Sequence, residues 1–137
     1  MAYKLLDHGA DLGIEIRAPS QKGLFVEGAR ALFDVIGTLG STRSLVEEAV
    51  EIEGEDVEEL LRGWLSEILF RCVARKRVFC DFEILELNRH RLRALARGEA
   101  FDAARHPFER EIKAVTFHGL EVIREAHGWR ATVIFDV

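Results

Sequence analysis

Asp7, His8 and Asp11 crowd into Asp7-His8-Gly9-Ala10-Asp11-Leu12-Gly13, just before an alternating apolar run, and Asp136 stands at the far end of the chain. Carboxylates fixed on a rigid element lose little freedom on coordination, so a short acidic turn feeding a strand suits a hard cation. Asp and Gly are also ordinary turn residues, and by itself the turn decides nothing. Asp136 adds weight. Trp129, Ala131, Val133 and Phe135 share one strand parity, which leaves Asp136 on the other face beside the carboxylate of Val137. Two negative groups so close repel unless a cation lies between them, and either a divalent ion or Lys113 would serve. Carboxylates with backbone oxygens form a hard, all-oxygen donor set that favours calcium or magnesium over zinc; coordination by His8 would turn the preference toward a transition metal.

Lys113 lies in Glu111-Ile112-Lys113-Ala114-Val115-Thr116-Phe117-His118. If Ile112, Ala114 and Thr116 pack inward, Lys113 faces solvent or a groove, although a lysine on a sheet edge also serves simply to discourage edge pairing. His118, ahead of Gly119, fits a hairpin turn. No Gly-rich phosphate loop, H-E-x-x-H helix or nucleophile with its base is visible, so no residue is assigned a catalytic role. An enzymatic alternative is a small metal-dependent phosphohydrolase, with Asp11 and Asp136 as ligands and His8 or His118 as acid and base. A third reading is a chaperone-like interaction module whose acidic end is merely solvated.

The elements that must position these residues follow from periodicity. Tyr3 to Leu6 and Leu12 to Arg17 read as strands flanking the acidic turn. Ser20 caps a helix carrying Leu24, Phe25, Gly28, Ala29, Leu32, Val35 and Ile36, whose pattern Gly37 and Gly40 stop. Gly28 and Ala29 in its apolar stripe predict a close approach to a sheet. Val46 to Glu53 reads as a half-exposed strand. Asp56 and Glu59 form a capping box for a second helix with Leu60, Leu61, Trp64, Leu65, Ile68, Leu69, Cys72 and Val73 along its buried side. Beyond it the period falls to two, predicting strands over Val78 to Leu87, Arg91 to Arg97, Arg110 to Phe117, Leu120 to Glu125 and Trp129 to Asp136, in an antiparallel meander with a loop from Gly98 to Pro107. Phe82 and Ile84 lie on one parity and Leu85 and Leu87 on the other, which predicts two-sided burial or a bulge. The fold class is α+β: a single domain over 1–137, an antiparallel sheet or small β-sandwich with two amphipathic helices packed on it.

Composition bounds the function. With 137 residues, 48% hydrophobic, the chain can bury a full core without staples, and a disordered class is excluded. A net charge of -5 argues against binding driven by a phosphate backbone and for a protein partner. The basic runs Arg71 to Arg77 and Arg89 to Arg93 leave one basic face open as a reading. Cys72 and Cys80, without C-x-x-C spacing, read as core thiols in a reducing compartment. With no leader and no apolar run long enough for a membrane, a cytoplasmic protein without a membrane partner is expected.

Asp7 to Gly13, the Leu-Leu-x-x-Trp-Leu pattern at Leu60 to Leu65, Gly98-Glu99 with Asp102, Glu111 to His118, and the closing Ile134-Phe135-Asp136-Val137 together resemble the archease family over essentially the whole chain. Two departures stand out: Gly9 where the family usually has Thr, and Phe117 where it usually has Tyr. The resemblance implies a protein activator of the GTP-dependent RNA ligase of tRNA splicing and RNA repair, promoting guanylylation of the ligase's active-site histidine and multiple turnover. RNA would be met through the ligase. It also implies a metal site on Asp11, Asp136 and Val137, with Lys113 as a further functional position. Calcium is the first expectation for the ion, with magnesium or manganese as alternatives. His8 then becomes a residue that packs beside Asp11 rather than a ligand.

Overall fold

Two capped helices anchor the chain. Ser20 accepts from the Gly23 N–H (3.0 Å) to open α1 (Gln21–Ile36), and Gly37, at φ 108°, closes it. Asp56 accepts from the Glu59 N–H (2.8 Å) to open α2 (Val57–Arg75). The structure, a computed structural model, describes residues 3–8 and 11–137; the side chains of Asp7 and His8 lie outside the described residues.

The strands are β1 (Tyr3–His8), β2 (Asp11–Ala18), β3 (Val46–Glu53), β4 (Arg77–Leu87), β5 (Arg91–Ala100), β6 (Ala114–Val115), β7 (Glu121–Glu125) and β8 (Gly128–Asp136). They form two antiparallel sheets. One runs β1-β2-β8-β6 with β7 also paired to β8, and the other runs β3-β5-β4. The helices pack on these sheets around one core, so the α+β expectation holds, while the C-terminal meander is divided between the two sheets.

Trp64 of α2 is fully buried; its Nε1–H donates to the Phe25 carbonyl of α1 (2.9 Å) and its ring meets Phe82 of β4 edge-on at 6.0 Å. Gly28 brings α1 onto both the sheet and α2: a β-carbon there would lie 3.3 Å from Ile16 and 3.5 Å from Leu65. The bulge expected in β4 is present, with register shifts at Phe79/Asp81 and Ile84/Glu86.

Three expectations are corrected. The strand predicted over Arg110 to Phe117 shrinks to Ala114–Val115, because the preceding backbone is used elsewhere: the Glu109 and Arg110 N–H groups donate to Ile36 O at the end of α1 (2.7 and 3.3 Å). Gly98 and Glu99 belong to β5 rather than to a loop. Val73 is 54% exposed, because the two-residue β6 is too short to cover the last turns of α2.

Candidate functional site

Three strands end together at one edge of the first sheet. β2 and β8 pair Leu12 with Phe135, and the same register carried one residue further sets Asp11 beside Asp136. Asp136 in turn pairs with Ala114 of β6, its carbonyl accepts from the Lys113 N–H (2.7 Å), and Asp11 pairs with His8 of β1. Alternation turns Asp136 away from the fully buried Phe135 and puts Asp11 on the same face. Asp136 is exposed, Asp11 and Val137 are half-buried, and Val137 also packs against the core. The carboxylates that stand 125 positions apart in the sequence are thus neighbours in the fold.

Lys113 joins this end through its backbone, while its side chain lines a groove against α2 with Arg62, Leu69 and Phe70. Among the described residues, neither Asp11, Asp136 nor Lys113 makes a salt bridge, so Lys113 does not neutralise the pair. No cluster of three or more His, Cys, Asp or Glu side chains with metal-binding placement occurs among the described residues. The His8 side chain and Gly9 lie outside the described residues. His118 is exposed in the β6–β7 turn, level with the stretch of β8 between Thr132 and Phe135 and away from the Asp136 end; its N–H donates to Thr116 Oγ1 (3.2 Å). Phe117 is exposed beneath the Arg62 guanidinium, 4.0 Å above its ring.

The segment leading to Lys113 is fastened by a buried polar cluster that spacing alone did not reveal. Glu99, on β5, accepts from the Arg43 N–H (2.6 Å), from Arg105, and from His106 Nε2 (3.1 Å). The Asp102 N–H donates to His106 Nδ1 (2.9 Å), and since a backbone amide can only donate, His106 carries its proton on Nε2. The Arg43 amide, then Arg105 and His106, outweigh burial and hold the Glu99 carboxyl down to about 2. A carboxyl depressed on folding stabilises fully above its unfolded range near 4.5 and loses that contribution as pH falls toward 2. Glu99→Gln is therefore expected to melt below the native protein at neutral pH, with the gap between their thermal midpoints closing from pH 4.5 to 2; a constant gap would contradict this.

Part of each basic run is held in ion pairs. Arg71 and Arg77 meet Glu48 (3.1 Å each), while Arg91 and Arg93 meet Glu51 (3.3 and 3.5 Å). Arg75, Lys76 and Arg89 are exposed and make no salt bridge among the described residues. Cys72 is buried and its thiol is pushed up to about 11 by burial, as expected of a core thiol; Cys80 is half-buried. No helix among the described residues is long and apolar enough to cross a membrane.

Comparison with known proteins accounts for the whole chain. Residues 3–137 match the model of the Archease protein family (MTH1598/TM1083). Protein archease of Methanopyrus kandleri is 41% identical, with all of both chains covered. Protein archease of Methanosarcina mazei is 35% identical over 98% of this chain and 95% of its own. Among solved structures, protein 1598 of Methanobacterium thermoautotrophicum superposes with a TM-score of 0.81 at 31% identity over 99% of both chains. An archease of Thermotoga maritima, described as a possible chaperone, shares the fold with a TM-score of 0.64 at 21% identity over 98% of this chain and 96% of its own.

Proposed function

The chain belongs to the archease family, and from that premise we propose that it is a non-catalytic activator of the GTP-dependent RNA ligase that seals 2′,3′-cyclic phosphate or 3′-phosphate ends to 5′-hydroxyl ends. It promotes guanylylation of the ligase's histidine and so sustains multiple turnover in the cytoplasm, meeting RNA through the ligase. The reading rests on one observation above all: Asp11 and Asp136 share a face at one strand end, and neither has a salt-bridge partner among the described residues.

The donors fit a hard divalent cation. Two carboxylates and the oxygens of Val137 are all-oxygen, and they favour calcium, with magnesium or manganese as alternatives. A divalent ion bound there supplies charge neutralisation for a triphosphate. The chain's own contribution is positional. The β2–β8 register sets both aspartates side by side without a loop between them, and the Lys113 N–H on the Asp136 carbonyl ties the β6 segment to the same strand end. His8 and His118 are assigned no proton-transfer step.

With ligase limiting and GTP and RNA ends in excess, adding this chain is expected to convert a reaction that stalls near one sealing per ligase into one that continues for many. Identical product yields with and without the chain would contradict the proposal.

A further inference from the structure

Among the described residues, nine large apolar side chains are more than about a third exposed, and three of them, Phe70 (53%), Val73 (54%) and Phe117 (58%), lie along the seam between α2 and the β6–β7 segment. Phe70 and Val73 line a groove of about 330 Å³ with Leu69, Lys113, Ala114 and Val115, a volume within the ~300–1,000 Å³ of pockets that enclose a bound group. Its charged rim is cationic. Arg62 donates from Nε to the Val115 carbonyl (3.1 Å) and spans to Phe117, Lys113 closes the β6 side, and Arg75 sits 5.9 Å over the Phe70 ring. The acidic neighbour on the helix, Glu67, is turned away toward Arg71 (2.8 Å). In a chain of net charge -5 this is a local reversal of sign.

We propose that this groove is the docking surface for a partner protein, receiving a segment that presents a large apolar side chain next to a carboxylate. The apolar side chain fills the space over Leu69, Phe70 and Val73, and the carboxylate meets Lys113 and Arg62. Burial of an anchoring side chain in a pocket with a charged rim is how a small contact comes to dominate an interface. The groove is continuous with the Asp11 and Asp136 edge through Lys113, whose N–H holds the Asp136 carbonyl, so a docked partner has its own site brought against those carboxylates. Phosphate-backbone recognition fits worse: on the far side of Phe117 lies a second groove lined by Asp56, Glu58, Glu59 and Glu121, which would repel a strand running along the seam.

The proposal rests on the ligase-activator reading, taking the ligase as the partner, and calorimetric titration of the ligase with Phe70→Ala and Val73→Arg proteins tests it. Both positions are over half exposed, so both variants are expected to keep the native thermal midpoint. The expected result is affinity weaker on the order of tenfold or more for each, with guanylylation restored when the variant is supplied well above its new dissociation constant. Asp11→Ala protein should instead bind with native affinity and fail to stimulate at any concentration. Native affinity in both groove variants overturns the groove and leaves the activator reading standing. Absence of any complex with the native chain overturns both. Loss of RNA binding with unchanged ligase affinity would assign the groove to nucleic acid and overturn the proposal.

Discussion

Gly98→Ala is expected to destabilise the protein by about 3 kcal/mol or more, a large share of the ~5–15 kcal/mol that holds a domain of this size together. Gly98 sits in the middle strand of the three-stranded sheet, opposite Phe79 on one side and Val46 on the other. A β-carbon there would fall 1.8 Å from the Val78 carbonyl oxygen, 2.7 Å from the Phe79 Cα and 2.8 Å from the Val78 carbonyl carbon. All three are backbone atoms, so no side chain can swing away and the two strands must part. The clash lies beside the register shift at Phe79/Asp81, where β4 is already bent, and one residue from Glu99. Moving β5 also pulls Glu99 from Arg43, Arg105 and His106, and takes the Gly98 carbonyl from the Leu45 N–H that it accepts at 2.9 Å. Urea unfolding of native and variant proteins measures the loss, and a difference below about 1 kcal/mol would mean that the strands adjust where the geometry leaves them no room.

Local signals in the sequence carried the helices. The Ser20 and Asp56 caps, the Gly37 stop and the small residues at Gly28 and Ala29 act within one turn or one contact, so their meaning does not depend on distant partners. Strand pairing does depend on them. Nothing near β4 and β5 says that they pair with β3 while β6, β7 and β8 join β1 and β2. Arg110 to Phe117 alternates well enough to read as a strand, yet its first residues are drawn to the open carbonyl at the end of α1, a partner more than 70 residues away in the sequence. The stripe on α2 was legible up to Cys72, but Val73 counts as buried only if a full-length strand covers it, and Phe70 lies off the stripe altogether.

The site divides in the same way. Strand parity correctly turned Asp136 away from Phe135, and the pairing of β2 with β8 supplies the neighbour that parity could not name. Lys113 was expected to face solvent or a groove, and it lines one; the sequence did not disclose that α2 forms the other wall. The Glu99 cluster escaped the residue patterns because its partners, Arg43, Arg105 and His106, come from two irregular segments with no fixed spacing.

Removing either carboxylate at the strand ends is expected to abolish activation while sparing the fold. Asp136 is exposed and Asp11 half-buried, and neither makes a salt bridge among the described residues, so Asp11→Ala and Asp136→Ala should melt close to the native protein. Each substitution removes one of the two aspartate carboxylates that a cation at this edge would meet. The functional loss should be no smaller than the ~10–100-fold that losing even a supporting residue costs a metal site. The decisive measurement is the transfer of labelled GMP from GTP to the ligase histidine in the presence of native, Asp11→Ala or Asp136→Ala protein. The native chain should stimulate the transfer and both folded variants should leave it at the ligase-only level, whereas unimpaired stimulation by both variants would contradict the account.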